Sequence, residues 1–257
     1  MITTIRDLDL DNRHALERLT EVQSRIAQAC TGAERPVGSV TLLAVSKTFG
    51  ADRVLQLATL GQRAFAENYL QEALEKIAAV RSVAPDLELA WHFIGPVQSN
   101  KTRPIAEQFD WVHSVDREKI GRRLAEQRPG DRAPLNICVQ VNLSGEASKS
   151  GCKPDEALPL CRSLAGLEGL RLRGLMAIPA PGEAALQQDR PFEQLGALFA
   201  TIQAGLTAEF PERSASFDTL SMGMSDDLEE AVAAGATIVR VGTALFGRRE
   251  RAGDLRA

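Results

Sequence analysis

The chain is poor in several residue types, and each shortage narrows the choices. No stretch reaches the roughly 18 continuous apolar residues of a membrane helix, so no bilayer span is expected. The 4 cysteines, Cys30, Cys138, Cys152 and Cys161, make no C-x-x-C pair, and the 3 histidines are too scattered for a zinc finger. Metal binding therefore has no motif, and a reducing cytoplasm is the compartment that fits. Lys plus Arg total 30 against 34 Asp plus Glu, a net charge of -4. Without a basic excess to displace counterions, nucleic acid is not an expected partner. The first thirty residues carry Arg6, Asp7, Asp9, Asp11, Arg13, Glu17 and Arg18, which leaves no apolar core for a secretory signal. Only 12 prolines and 20 glycines occur, and no Gly/Ser-rich or Pro-rich linker divides the chain. One domain over residues 1–257 is the simplest organisation.

What the chain does have is rhythm. After an amphipathic opening segment within residues 1–35, short β-type runs alternate with longer helical patterns over residues 40–249. The runs read as strands are VTLLAV from Val40, RAFA from Arg63, LAWHFI from Leu89, DWVHSV from Asp110, LNICVQVNL from Leu135, LRLRGLMAI from Leu170, FDTLSM from Phe217 and TIVRVG from Thr237. Helices are expected near 51–60, 68–83, 99–108, 116–128, 154–166, 188–209 and 226–234. Eight such β-α units in about 250 residues match a TIM barrel, whose strands are buried on both faces. A doubly wound open sheet competes, but no G-x-G-x-x-G follows the first strand. The least ordered stretches should be PAPGEAALQQ from Pro179 and the charged tail after Gly247.

In a barrel the chemistry sits where strands end. Period-2 alternation puts Lys47 on the face of Leu43 and Val45, so it enters the mouth if that face looks inward. Apolar walls disfavour an ammonium and free an amine to attack a carbonyl, which makes Schiff-base chemistry available; a lysine snorkelling to solvent is the plainer reading. Strand 7 ends in Ser221, Met222, Gly223, Met224 and Ser225, followed by a helix start with Asp226 and Glu229 at capping-box spacing. Strand 8 ends in Gly242 and Thr243. These two loops form the usual phosphate cradle of the fold, although each glycine could simply serve a tight turn. Arg240, inside an apolar strand, needs a partner. That partner is either an interior carboxylate or a ligand's ring nitrogen, which a fixed cation would keep unprotonated. Asn68, His92, His113, Ser114, Gln140, Asn142 and Met176 are further strand-end residues, each weak alone, and His92 between Trp91 and Phe93 also reads as a core histidine.

Several blocks together resemble one family: TLLAVSKT (41–48), FAENYLQEA (65–73), WHFIGPVQSNKTR (91–103), GEASKSGC (145–152), LRGLMAIPAP (172–181), SMGMSDDLEEAVAAGAT (221–237) and VRVGTALFGRR (239–249). They are similar to the pyridoxal phosphate homeostasis proteins, the YggS/PROSC family. The sequence has FAEN where the family often has FGEN, and GPVQ where GPLQ is common. The resemblance implies a single barrel of the alanine racemase N-terminal-domain type, fold type III among proteins that use pyridoxal 5'-phosphate (PLP), without the racemases' second domain. It implies that Lys47 holds PLP covalently as a Schiff base. Ser221, Gly223, Met224 and Ser225, with Gly242 and Thr243, then match the phosphate-binding segments. Arg240 matches the arginine opposite the pyridine nitrogen, and Asn68, His92 and Met176 fall in motifs lining the cofactor.

A carrier that buffers PLP in vitamin B6 and amino-acid metabolism is thus the leading expectation, with apo-enzymes that need PLP as partners and a cytoplasmic monomer as the default state. The alternative is a PLP-dependent amino-acid racemase. Two-base racemisation needs a second acid-base group, commonly a tyrosine, and the only tyrosine is Tyr69, beside Asn68 at an expected helix start. A class I aldolase, using the lysine on its substrate without PLP, is a third reading.

Overall fold

A computed structural model describes residues 5–146, 149–179 and 190–247, with side chains from Asn12 onward. Eight parallel strands close into a barrel in sequence order. They are β1 Thr41–Val45, β2 Ala64–Glu67, β3 Ala90–Phe93, β4 Trp111–Val115, β5 Leu135–Gln140, β6 Leu170–Met176, β7 Thr219–Ser221 and β8 Ile238–Val241. Seven lie within the expected runs, and β2 runs one residue past its own, to Glu67. The helices are α1 Ile5–Gly32, α2 Ala51–Thr59, α3 Leu70–Val83, α4 Thr102–Gln108 after a 3-10 turn, α5 Glu118–Gln127, α6 Pro154–Ala165, α7 Pro191–Glu209, α8 Pro211–Ser214, α9 Leu228–Ala233 and α10 Thr243–Phe246. The single-turn α8 and α10 were not legible, because four residues carry no 3.6-residue periodicity. The segment beyond Pro179 and the tail after Gly247, both expected to be least ordered, lie outside the described residues.

Strand alternation sorts the chain into two apolar clusters. Ala44, Phe65, Phe93, Ile137 and Val239 face outward into the large core that the helices cover. Leu43, Val45, Ala66 and Ile238 face inward and form a small cluster inside the barrel. The rest of the interior is polar to a degree the apolar runs did not announce. Arg173 lies over the Trp111 ring with Cζ 4.6 Å from its centroid, and donates to Asn136 Oδ1 at 3.1 Å. A guanidinium stacked and hydrogen-bonded in this way is satisfied without a fully apolar layer.

Helix α1 lies against α2, α9 and α10. Ala15, Leu19, Val22, Ile26 and Cys30 recur every three or four residues, and all are buried. Arginines near that stripe bind the ends of the last helices: Arg18 Nε donates to Leu245 O at 2.8 Å and Arg35 Nη1 to Val232 O at 2.7 Å. No helix among the described residues is long and apolar enough to cross a membrane.

Candidate functional site

Closure of the sheet places the ends of β7, β8 and β1 side by side. In the β1–β8 register Leu43 is level with Arg240 and Ala44 with Val241, so Gly242 abuts Val45. A Cβ added to Gly242 would lie 3.4 Å from Val45 O. Lys47 follows two residues beyond Val45 and is half-buried. Leu43 and Val45, the strand residues that share its parity, both face the barrel interior. Lys47, Gly242 and Thr243 therefore stand on adjoining strand ends. Ser221 pairs with Ile238, which brings the turn through Met224 and Ser225 to the other flank of β8.

Arg240 is 4% exposed. Its Nη1 donates to Ser221 Oγ and its Nη2 to Ala177 O, both at 2.9 Å. These acceptors are neutral, so the interior carboxylate that could have paired it is not its hydrogen-bond partner. Burial lowers the guanidinium to about 10, partly opposed by the charge of Asp227. It remains a cation at neutral pH. The Ser221 hydroxyl points into the barrel, to Arg240 and to His113 Nδ1 at 2.8 Å, and so supports the arginine. His113 Nε2 in turn meets His92 Nδ1 at 2.9 Å. His92 is thus a satisfied interior histidine, stacked on Trp111 at 5.2 Å. Burial pushes His92 down to about 3, and burial, with the neighbouring His92 and Arg240 adding to it, holds His113 well below the ordinary imidazole range.

The SMGMS turn divides its labour. Gly223 adopts φ +91°, and a Cβ there would fall 2.5 Å from the Cβ of Ala231, so this glycine is required by packing. Met224 is exposed, and its N–H donates to Asp227 Oδ1 at 2.5 Å. The capping box expected from Asp226 and Glu229 does not form. The Glu229 carboxylate is instead taken by Arg25 of α1 through Nε at 2.7 Å and Nη2 at 2.8 Å, a charge-assisted pair stronger than a single backbone bond. Arg25 Nη2 also donates to Ser225 O at 2.9 Å.

Asn68 and Met176 lie on the other arcs of the mouth. Met176 is buried, level with Gln140 and Ser221. Asn68 lines a cavity of about 250 Å³ with Ile94, Pro96, Gln140, Asn142 and Lys149. Lys47 is not among the residues lining this cavity. Lys149, paired with Glu146 at 2.9 Å, was missed because it sits in a loop where strand parity gives no direction. Tyr69 is 53% exposed at the start of α3. Among the described residues no group of three or more His, Cys, Asp or Glu could hold a metal. The donor set is instead one amine, one buried guanidinium and the N–H groups of the turn into α10, the first of which have no partner within so short a helix. This suits a small ligand with a carbonyl carbon, an aromatic nitrogen and an anionic tail.

Comparison with known proteins gives the same picture at the level of the whole chain. The family of the alanine racemase N-terminal domain matches residues 18–250. The pyridoxal phosphate homeostasis protein of Pseudomonas aeruginosa is 54% identical over 234 residues, covering 91% of this chain and 95% of that one. The Escherichia coli protein of the same name is 47% identical over 232 residues, with 90% and 95% covered. The structure of PipY from Synechococcus elongatus with PLP bound superimposes with a TM-score of 0.73 at 37% identity, covering 91% of this chain and 100% of that one. Alanine racemase from Corynebacterium glutamicum, at 16% identity and a TM-score of 0.61, covers 93% of this chain and 62% of that one and shares the fold alone. This chain, a closed fold type III barrel, belongs to the pyridoxal phosphate homeostasis protein family within the alanine racemase N-terminal-domain group.

Proposed function

We propose that this protein binds pyridoxal 5'-phosphate as a Schiff base on Lys47 and acts in PLP and amino-acid homeostasis, without robust catalysis. The observation that carries this reading is the placement of Lys47 and the Gly242 turn on adjoining strand ends, above a buried guanidinium. The PLP-bound relative PipY and the names of the bacterial relatives support it. Bound PLP supplies an aldehyde, a pyridine nitrogen and a phosphate. In this reading Lys47 offers the amine, and the Gly242–Thr243 turn, with Ser225, holds the phosphate through N–H and O–H donors, while Met224, its N–H given to Asp227, shapes the turn. Arg240 faces the ring nitrogen and keeps it unprotonated, which weakens the ring as an electron sink. Asn68 and Met176 line the ring, and the His92–His113 pair supports the floor beneath it.

The geometry of Tyr69 favours a carrier over a racemase. A second base must face the substrate α-carbon, and this tyrosine is largely in solvent. One domain over residues 1–257, a cytoplasmic monomer, and delivery to apo-enzymes that need PLP complete the proposal; the four free, buried cysteines are in keeping with a reducing compartment. The test is spectroscopic. Purified protein given PLP should show a visible absorbance band that borohydride bleaches and that Lys47→Ala lacks. A Lys47-dependent racemisation of amino acids by the same sample would overturn the non-catalytic part, and a Lys47→Ala protein with the band intact would overturn the assignment.

A further inference from the structure

Behind β1 and β2, on the side away from the barrel interior, lies a buried charge cluster that the binding site does not use. Glu67 and Ser46 are fully buried, and Lys76 of α3 is 4% exposed. An ammonium has three N–H groups, and Lys76 engages all of them: with Ser46 O at 2.7 Å, Glu67 Oε1 at 2.6 Å and Glu72 Oε1 at 2.9 Å. Lys76 is therefore not an amine available to an aldehyde. Ser46 Oγ donates to the same Glu67 oxygen at 2.5 Å. Glu72 Oε1 also accepts the backbone N–H of Thr48 at 2.6 Å. Ser46 and Thr48 are the two neighbours of Lys47.

Two features suggest that this cluster does more than hold the fold. Thr48 sits at φ +69°, a left-handed conformation that a β-branched residue keeps only when its surroundings impose it. Moreover, a buried ion pair is seldom better for stability than apolar packing, and here Glu67 Oε2 is buried with no hydrogen-bond partner. What the cluster does provide is direction: it grips the peptide units on both sides of one lysine.

We propose that Glu67, Lys76 and Glu72 are positioning residues that fix the backbone around Lys47 from outside the barrel, so that its amine enters the mouth in one orientation. This rests on the reading of Lys47 as the lysine that holds PLP. Glu72 is the useful site for substitution, because its side chain is 32% exposed and its loss leaves the buried Glu67–Lys76 pair in place.

The experiment compares Glu72→Ala, Glu72→Gln and Lys47→Ala in the full-length protein. With Glu72→Ala the visible band should grow about tenfold more slowly on mixing with PLP, and likewise with pyridoxal, which lacks the phosphate. Affinity for pyridoxine 5'-phosphate, which has no aldehyde, should stay as in the parent protein. Glu72→Gln keeps an acceptor for the Thr48 N–H and should recover most of the rate. An unchanged rate in Glu72→Ala would overturn the positioning role, and so would an equal loss of pyridoxine 5'-phosphate affinity, which marks general damage. Lys47→Ala separates the two levels: a band surviving in it sinks the lysine assignment itself, whereas a band absent there and unchanged in Glu72→Ala sinks only the positioning role.

Discussion

Deep in the barrel, Ser221 Oγ accepts a hydrogen bond from Arg240 Nη1 at 2.9 Å, and this contact leaves the serine its own proton to give to the histidines behind it. A guanidinium can only donate, so the serine hydroxyl is free to give its own proton to His113 Nδ1 at 2.8 Å. His113, being neutral, then carries its proton on Nε2 and donates to His92 Nδ1 at 2.9 Å. Ser221→Ala removes the shared atom and strands two buried polar groups, one of them charged. The expected loss is about 2–4 kcal/mol, read by urea denaturation of the protein without PLP. A loss below about 1 kcal/mol would mean that the chain of bonds does not hold Arg240.

The same two histidines give a pH dependence with a definite sign. Both are held below the ordinary imidazole range, His92 at about 3, by burial. On acidification the unfolded chain takes up protons near pH 6.5 that the native state refuses. Stability is thus complete above about pH 7 and falls as pH drops through 6.5. Between pH 6.5 and 5.5 the pair should remove about 2 kcal/mol. Glu67, whose carboxyl burial pushes up against the pull of Lys76, has the opposite sign: its charge is unfavourable at neutral pH and is relieved in acid. Urea midpoints at pH 7.5, 6.5 and 5.5 check this, and a flat profile would contradict neutral native imidazoles.

Two glycines in the cradle should respond differently to substitution. Gly223→Ala must place a Cβ at φ +91° and 2.5 Å from Ala231 Cβ, so it should destabilise by more than about 2 kcal/mol. Gly242 has φ -113° and ordinary van der Waals room against Val45, so Gly242→Val should fold with a melting temperature within a few degrees of the parent. Its branched side chain should crowd the turn and weaken PLP retention on gel filtration. Retention unchanged by Gly242→Val would remove this turn from the phosphate site.

How legible this was depends on which interactions carry each feature. The barrel follows from eight apolar runs, and the inward facing of Leu43 and Val45 from simple alternation, because a strand's period is local. The direction of the Ser221 hydroxyl was not legible, since it is set by His113, 108 residues away, and by Arg240 on the next strand. Glu67 and Lys76 gave no signal either: nine residues apart, they meet only because α3 folds back over the end of β2. Asp226 and Glu229 had the right spacing for a capping box, yet a long-range arginine took the carboxylate.

That arginine gives the last expectation. Arg25 holds Glu229 with two hydrogen bonds and Ser225 O with a third, tying the N-terminal helix to the turn that follows β7. The pair is solvent-exposed, 31% for Arg25 and 47% for Glu229, so its worth to global stability should be below about 1 kcal/mol. Arg25→Ala should therefore melt within a few degrees of the parent. The turn carrying Ser225, however, loses its outer tether, and a looser turn holds an anion less well while leaving the lysine untouched. PLP should dissociate several-fold faster from Arg25→Ala, with pyridoxal, which lacks the anionic group, unaffected. Reversing the pair with Arg25→Glu and Glu229→Arg should restore part of the difference. Equal acceleration for both vitamers would show that the helix braces the barrel as a whole and not the phosphate turn.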